Sequence, residues 1–183
     1  MKEQKSELRK EITRRKKQFD PEELKSISKT LLERLENLPA FREADTVLLY
    51  HSLKDEVYTH EFAEKWKESK TLLLPVVVGD ELELRRYTGK HDLHTGSYGI
   101  EEPTGELFTD FKKIDLAVIP GVSFDASGCR LGRGKGYYDR LLPKLISFNL
   151  GICFSFQVSE QIPTEEFDRK MNAVLTESQL WYQ

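Results

Sequence analysis

Four short, nearly continuous apolar runs limit how this chain can fold: residues 46–52, 72–78, 114–120 and 150–156. Runs of that length without polar alternation are strands covered on both faces of a sheet. Helical patterns lie between them. Residues 20–38 open with Asp20-Pro21, an N-cap acid and then proline at the first helical position. Leu24, Ile27, Leu31, Leu32 and Leu35 follow as one apolar stripe, and Pro39 is expected to end it. Residues 59–69 turn Phe62, Ala63 and Trp66 inward. Residues 137–146 turn Leu141, Leu142, Leu145 and Ile146 inward, with a kink or stop expected at Pro143. Leu82-Glu83-Leu84 alternates like a sheet-edge strand, and residues 173–176 read as a short last strand. Residues 89–103 hold His91, His94, Tyr98, Gly99 and Pro103 without periodicity, and read as a loop that covers a ligand. Strands alternating with helices predict one α/β domain over residues 1–183, with a mainly parallel sheet.

The chemistry concentrates in Gly132-Arg133-Gly134-Lys135-Gly136-Tyr137-Tyr138-Asp139, with Arg130 just upstream. Alternating glycines let the backbone take positive φ and let a ligand approach peptide N–H groups. Successive N–H groups in such a turn form a nest for an anion. A helix starting at Gly136 or Tyr137 would add its positive end, and Arg133 and Lys135 add full charges. Asp139 then offers a hard oxygen to Mg²⁺. The spacing is not that of a Walker A loop. Nor is it a dinucleotide fingerprint, because Val122-Ser123-Phe124-Asp125 follows the strand. The plain alternative is a solvated glycine-rich turn, and the strand before and helix after the loop argue against it. The net charge of −3 leaves anion binding to such local clusters.

Three further features bear on function. Residues 2–17 form a helical pattern with eight basic residues against Glu3, Glu7 and Glu11, and a thin stripe of Leu8 and Ile12. Its Lys5 and Arg9 lie one turn apart, placed to clamp an anion held by the main body. With so narrow a stripe, this helix is expected to stay mobile until phosphates arrive. His51, Asp55 and Glu56 follow the first strand, at the carboxyl end where open α/β sheets bind ligands. Cys129 and Cys153 have no CxxC spacing and are expected as free thiols. His91 and His94 lack a third ligand at useful spacing, so they do not define a metal site. Charged residues from Lys2 onward and the absence of a long apolar run predict a soluble, cytoplasmic protein.

Pro120-Gly121-Val122-Ser123-Phe124-Asp125, then Gly128, then Arg130 through Asp139, resembles the signature of the 5-formyltetrahydrofolate cyclo-ligase family. Lys5-x-x-x-Arg9, Asp55-Glu56, Tyr98-Gly99-Ile100 with Glu102-Pro103, and Asp168 extend the likeness over nearly the whole chain. The resemblance implies a three-layer α/β/α sandwich similar to the ribose-phosphate isomerase class. It implies an ATP- and Mg²⁺-dependent ligase of one-carbon metabolism that closes 5-formyltetrahydrofolate to 5,10-methenyltetrahydrofolate and releases ADP and phosphate. Its partners would be those two substrates, with no nucleic acid and no membrane, and it would act as a monomer.

Residue by residue, the resemblance assigns catalysis to Arg133, Lys135 and Tyr137. It assigns ATP to Lys5, Arg9, Arg130, Leu131, Gly132, Arg133, Gly134, Lys135, Gly136, Tyr137 and Tyr138. The folate falls to His51, Glu56, Tyr98, Arg133, Lys135 and Tyr137, and the metal to Asp139 and Asp168. Asn172 departs from the pattern, standing where relatives often carry an aspartate. The alternative function is a non-catalytic nucleotide or sugar-phosphate sensor on the same fold. A nucleic-acid binder is opposed by the pI of about 5.9.

Overall fold

The computed structural model describes residues 1–96, 99–166 and 168–183. Tyr98, expected at the folate, lies outside the described residues.

The chain begins with α1 (Lys2–Lys16) and α2 (Pro21–Asn37). Asp20 caps α2 as its sequence predicts: its Oδ1 accepts from the Glu23 N–H at 2.9 Å, and Glu23 Oε2 accepts from the Asp20 N–H at 2.8 Å. That reciprocal box satisfies two otherwise orphaned donors. Pro39, expected as a stop, instead opens a short helix of its own, α3 (Pro39–Glu43), because proline suits the first turn. There follow β1 (Thr46–Leu48), α4 (His60–Trp66), β2 (Thr71–Val78) and β3 (Glu81–Tyr87). Strands β4 (Leu93–Thr95) and β5 (Glu101–Pro103) pair as a hairpin, so residues 89–103 are not all loop. Next come β6 (Leu107–Phe108), β7 (Leu116–Pro120), and a second small hairpin of β8 (Ser123–Phe124) and β9 (Arg130–Leu131). The chain ends with α5 (Tyr137–Leu141), β10 (Phe148–Ile152), β11 (Ala173–Leu175) and β12 (Leu180–Tyr182).

Eight strands form the main sheet in the order β12-β11-β10-β7-β1-β2-β3-β6. From β11 to β2 neighbouring strands run parallel, whereas β12, β3 and β6 join antiparallel. The apolar runs are mostly buried on both faces, as expected, except at the end of β2, where Val77 and Val78 are 46% and 49% exposed. Val47, Leu72, Leu74, Val118 and Leu150 pack with Leu31, Leu35, Phe41 and Phe62 of the helices on one side. Leu48, Leu73, Ala117, Ile119 and Val174 pack with Phe124, Leu141 and Leu142 on the other. Each fully buried leucine here contributes about 1.5–3 kcal/mol of transfer free energy. The result is the expected three-layer arrangement, with a thin second helical layer.

Two local expectations hold only in part, for clear reasons. Pro143 ends α5 after Leu141, a 3₁₀ turn (Leu142–Lys144) follows, and Ile146 is left 74% exposed instead of inward. The Leu82–Leu84 segment is an edge only in part, because the two-residue β6 pairs with β3 at Leu84 and Arg85. Cys129 and Cys153 are buried free thiols, as expected. Among the described residues no helix is long and apolar enough to cross a membrane.

Candidate active site

Strand β1 has β2 on one side and β7 on the other, so the connections leave in opposite directions there. Such a reversal opens a crevice beyond the carboxyl ends of the strands. Glu56 borders it from the loop after β1, and Pro120 and Gly121 from the end of β7. Arg130, Gly132, Arg133, Lys135, Gly136, Tyr137, Tyr138 and Asp139 complete the lining. The sequence assigned a site role to all of these except Pro120 and Gly121, which appeared only within the family signature.

A buried carboxylate builds the approach to the loop. Asp125 Oδ1 accepts from the Ser127 N–H (3.0 Å), the Ser127 hydroxyl (2.8 Å) and the Cys129 N–H (3.0 Å). Its Oδ2 accepts from the Ile162 N–H at 2.9 Å. These bonds fix the turn that returns the chain as β9. Arg130 then acts as a strut, its side chain only 8% exposed. Its Nε donates to the Pro120 carbonyl at 2.8 Å, its Nη1 lies 3.2 Å from Asp139 Oδ1, and its guanidinium faces the Tyr138 ring. A Cβ on Gly132 would come within 3.0 Å of that guanidinium. Gly134 and Gly136 take φ of 97° and 74°, conformations that favour glycine. With five residues, α5 offers mainly the N–H groups of its first turn.

Most cations around the loop are already engaged. Arg133 Nη2 donates to Asp55 Oδ1 at 2.7 Å and to Glu56 Oε1 at 3.1 Å. Helix α1 packs on the body through more than its thin stripe. Ile12 is fully buried, Arg15 donates to the Phe156 and Val158 carbonyls, and Lys16 pairs with Asp55. Arg9 Nε donates to the Gly132 carbonyl at 2.8 Å, so this helix reaches the loop itself. Lys5 lies 3.2 Å from Asp168 and 3.3 Å from Glu165. Burial would lower the Lys5 pKa, but the hydrogen bonds and charges of those acids outweigh it and raise it. Among the described residues the Lys135 ammonium has neither a carboxylate nor a carbonyl partner, and it is exposed at the pocket.

Of the residues assigned to the folate, Glu56, Arg133, Lys135 and Tyr137 line this pocket, whereas His51 is not part of its lining. His51 stacks on His60 with ring centroids 3.6 Å apart and planes 14° apart, and its Nε2 lies 3.5 Å from Glu101 Oε2. Burial, reinforced by His60 and opposed by Glu101, lowers the His51 pKa to about 4. His51, His60 and Glu101 bring possible ligand atoms within 4.8 Å of one another. Imidazole lone pairs lie in the ring planes, so two stacked rings cannot direct them at one ion. His60 Nε2–H is also committed to the Ser52 carbonyl at 2.8 Å. The group is an aromatic shelf, not a metal centre.

Tyr138 lines the pocket, and burial with the Glu56 charge pushes its phenol up, so it stays a donor. Leu131 has its side chain in a small cluster with Cys129 and Ile162, so only its backbone can face a nucleotide. Asn172 does not face the site: its Oδ1 accepts from the Asn149 N–H at 2.7 Å, near the start of β10. Asp125 was missed as an organiser of the loop, although Asp-x-Ser-Gly is a recognisable side-chain turn signal.

The geometry agrees with three comparisons. A profile of the 5-formyltetrahydrofolate cyclo-ligase family matches residues 1–177. The solved structure of an Aquifex aeolicus 5,10-methenyltetrahydrofolate synthetase superposes with a TM-score of 0.87 at 36% identity, covering 97% of this chain and 92% of that one. The 5-formyltetrahydrofolate cyclo-ligase of Escherichia coli is 29% identical over 180 residues, 93% of this chain and 98% of its own. A probable 5-formyltetrahydrofolate cyclo-ligase of Schizosaccharomyces pombe is 33% identical over 171 residues, 82% of each chain. The sensor alternative finds no support among these relatives.

Proposed function

The chain belongs to the 5-formyltetrahydrofolate cyclo-ligase family, and we propose that it uses ATP to close 5-formyltetrahydrofolate into 5,10-methenyltetrahydrofolate. The observation that carries this reading is one pocket in which Arg133, Lys135 and the loop N–H groups meet Glu56 and Tyr138. A phosphate-binding surface and a group able to accept pterin N–H bonds thereby share a wall.

A formamide oxygen is a poor leaving group. It takes the γ-phosphoryl group as the bond to the ADP oxygen breaks. N10 then attacks the formyl carbon and loses its proton, and the oxygen leaves with phosphate. Phosphoryl transfer needs alignment and charge neutralisation more than covalent help. Arg133, Lys135 and the glycine-loop N–H groups supply the neutralisation. Lys5 and Arg9 hold the polyphosphate from α1, and Tyr137 packs at the loop. His51, Glu56 and Tyr98 hold the folate.

Asp139 and Asp168 suit Mg²⁺ as hard oxygen donors. Among the described residues only Oδ1 of Asp139 and only Oδ2 of Asp168 carry a hydrogen bond, which leaves each one open oxygen. The ion, when bound, screens the charge of the polyphosphate. The same reading takes the enzyme as a cytoplasmic monomer with no nucleic-acid or membrane partner.

The test is absorbance at the methenyl-folate band after mixing protein, 5-formyltetrahydrofolate, Mg²⁺ and ATP. A rise that needs ATP, and that slows about 100-fold or more in Lys135→Ala, is expected. An unchanged rate in Lys135→Ala would remove the glycine loop from the reaction. No rise with the wild-type protein would overturn the function.

A further inference from the structure

We propose that Asp55 is a positioning residue for this reaction: its carboxylate fixes the Arg133 guanidinium between Glu56 and the glycine loop and ties it to α1 through Lys16. The inference rests on the cyclo-ligase reading above. The two oxygens of Asp55 serve two distant elements. Oδ1 lies 2.7 Å from Arg133 Nη2, and Oδ2 lies 2.9 Å from Lys16 Nζ. Lys16 is 39 residues away in sequence and Arg133 is 78, so three separate segments converge on one carboxylate.

Arg133 needs such a holder. It sits between Gly132 and Gly134, which offer no side chains to pack against, and its side chain is 47% exposed. A long unrestrained arginine there would sample many rotamers and lose the alignment on which its catalytic value depends. Glu56 also contacts Nη2, at 3.1 Å, and its other oxygen is pinned by the Leu53 N–H at 2.9 Å. The two acids therefore grip a single nitrogen. Among the described residues the Nε–H and Nη1–H₂ groups of Arg133 have no partner, and they remain to meet a phosphoryl oxygen. Lys16 anchors the other side of the bridge, its side chain only 19% exposed. A carboxylate that only neutralised charge would not need to reach both groups at hydrogen-bonding distance.

The experiment is a double-mutant cycle at saturating folate. Asp55→Asn should lower kcat about 10- to 100-fold while the KM for ATP moves less than about threefold. In an Arg133→Met background the same substitution should cost less than about twofold, because the group through which it acts is gone. Asp55→Glu should recover part of the loss. Lys16→Met, on a solvent-facing helix, should lower kcat about threefold, and this effect too should vanish in the Arg133→Met background. Thermal unfolding of each variant checks folding, and the Lys16→Met cycle decides the matter if Asp55→Asn does not fold. Equal losses in both backgrounds, or wild-type kcat in Asp55→Asn, would overturn the inference while leaving the enzyme assignment intact. A wild-type protein without ATP-dependent methenyl formation would overturn both.

Discussion

His51 gives the sharpest test of the site's electrostatics. Its ring is stacked on His60 and meets Glu101 at 3.5 Å, and its side chain is 11% exposed. Burial first, then the neighbouring His60, lower its pKa from 6.5 to about 4, with Glu101 pulling the other way. Between those values the unfolded chain binds a proton that the folded protein does not. Stability from the neutral imidazole is therefore complete above 6.5 and is lost as the pH falls toward 4. At about 1.4 kcal/mol per pKa unit, the shift sets a ceiling of about 3 kcal/mol. Glu101 is half exposed and admits water on that side, so about 1–2 kcal/mol is the expected effect. Urea unfolding on either side of this window should show that loss, and His51→Gln should remove it. Proton NMR of the imidazole should place its titration near 4 in the folded protein. Titration near 6.5, or an unchanged pH slope in His51→Gln, would refute the reasoning. With its titration near 4 the ring is neutral at neutral pH, able to accept a hydrogen bond at one nitrogen and donate at the other.

Two substitutions test how the anion loop is held. Asp125→Ala strands the N–H groups of Ser127, Cys129 and Ile162 and should cost at least about 3 kcal/mol in chemical denaturation, whereas a loss below about 1 kcal/mol would mean that water replaces the carboxylate. Gly136→Ala forces a side chain into φ of 74° and against the Arg140 guanidinium, 2.7 Å from the new Cβ. It should lower stability by about 1–3 kcal/mol and raise the KM for ATP, and an unchanged KM would show that the loop tolerates a different backbone.

The parallel sheet was legible because its central strands are buried on both faces, which leaves runs such as 116–120 without alternation. The cap at Asp20 was legible because N-cap chemistry is local. The residues of the pocket were legible because a phosphate nest needs glycines and cations close together in sequence. Pairing across distance was not. Nothing local indicates that Arg133 meets Asp55, or that Lys5 meets Asp168. The polar anchors of α1 were hidden for a related reason. A two-residue stripe looks too weak to hold a helix, but Arg9, Arg15 and Lys16 add polar anchors to loops from both later halves of the fold. The β4–β5 hairpin was hidden by its three-residue strands, too short for a periodic pattern to register.

The pairing pattern also explains how the site can hold so many cations before any phosphate arrives. Arg9, Arg130, Arg133 and Lys135 gather at one glycine loop, with Lys5 a helical turn from Arg9, and unneutralised they would repel one another. Asp168, the Gly132 carbonyl, Asp139 and the Asp55–Glu56 pair take Lys5, Arg9, Arg130 and Arg133 in turn. Arg133 need not give up its partners for a phosphate, because Asp55 and Glu56 hold only Nη2 and, among the described residues, its Nε–H and Nη1–H₂ groups stay open. Among the described residues the Lys135 ammonium is uncommitted, which on the proposed reading would make it the first contact for a polyphosphate. Arg130 is the least free to follow. It is buried and tied to Pro120, so its task is to shape the loop while the others take up the charge.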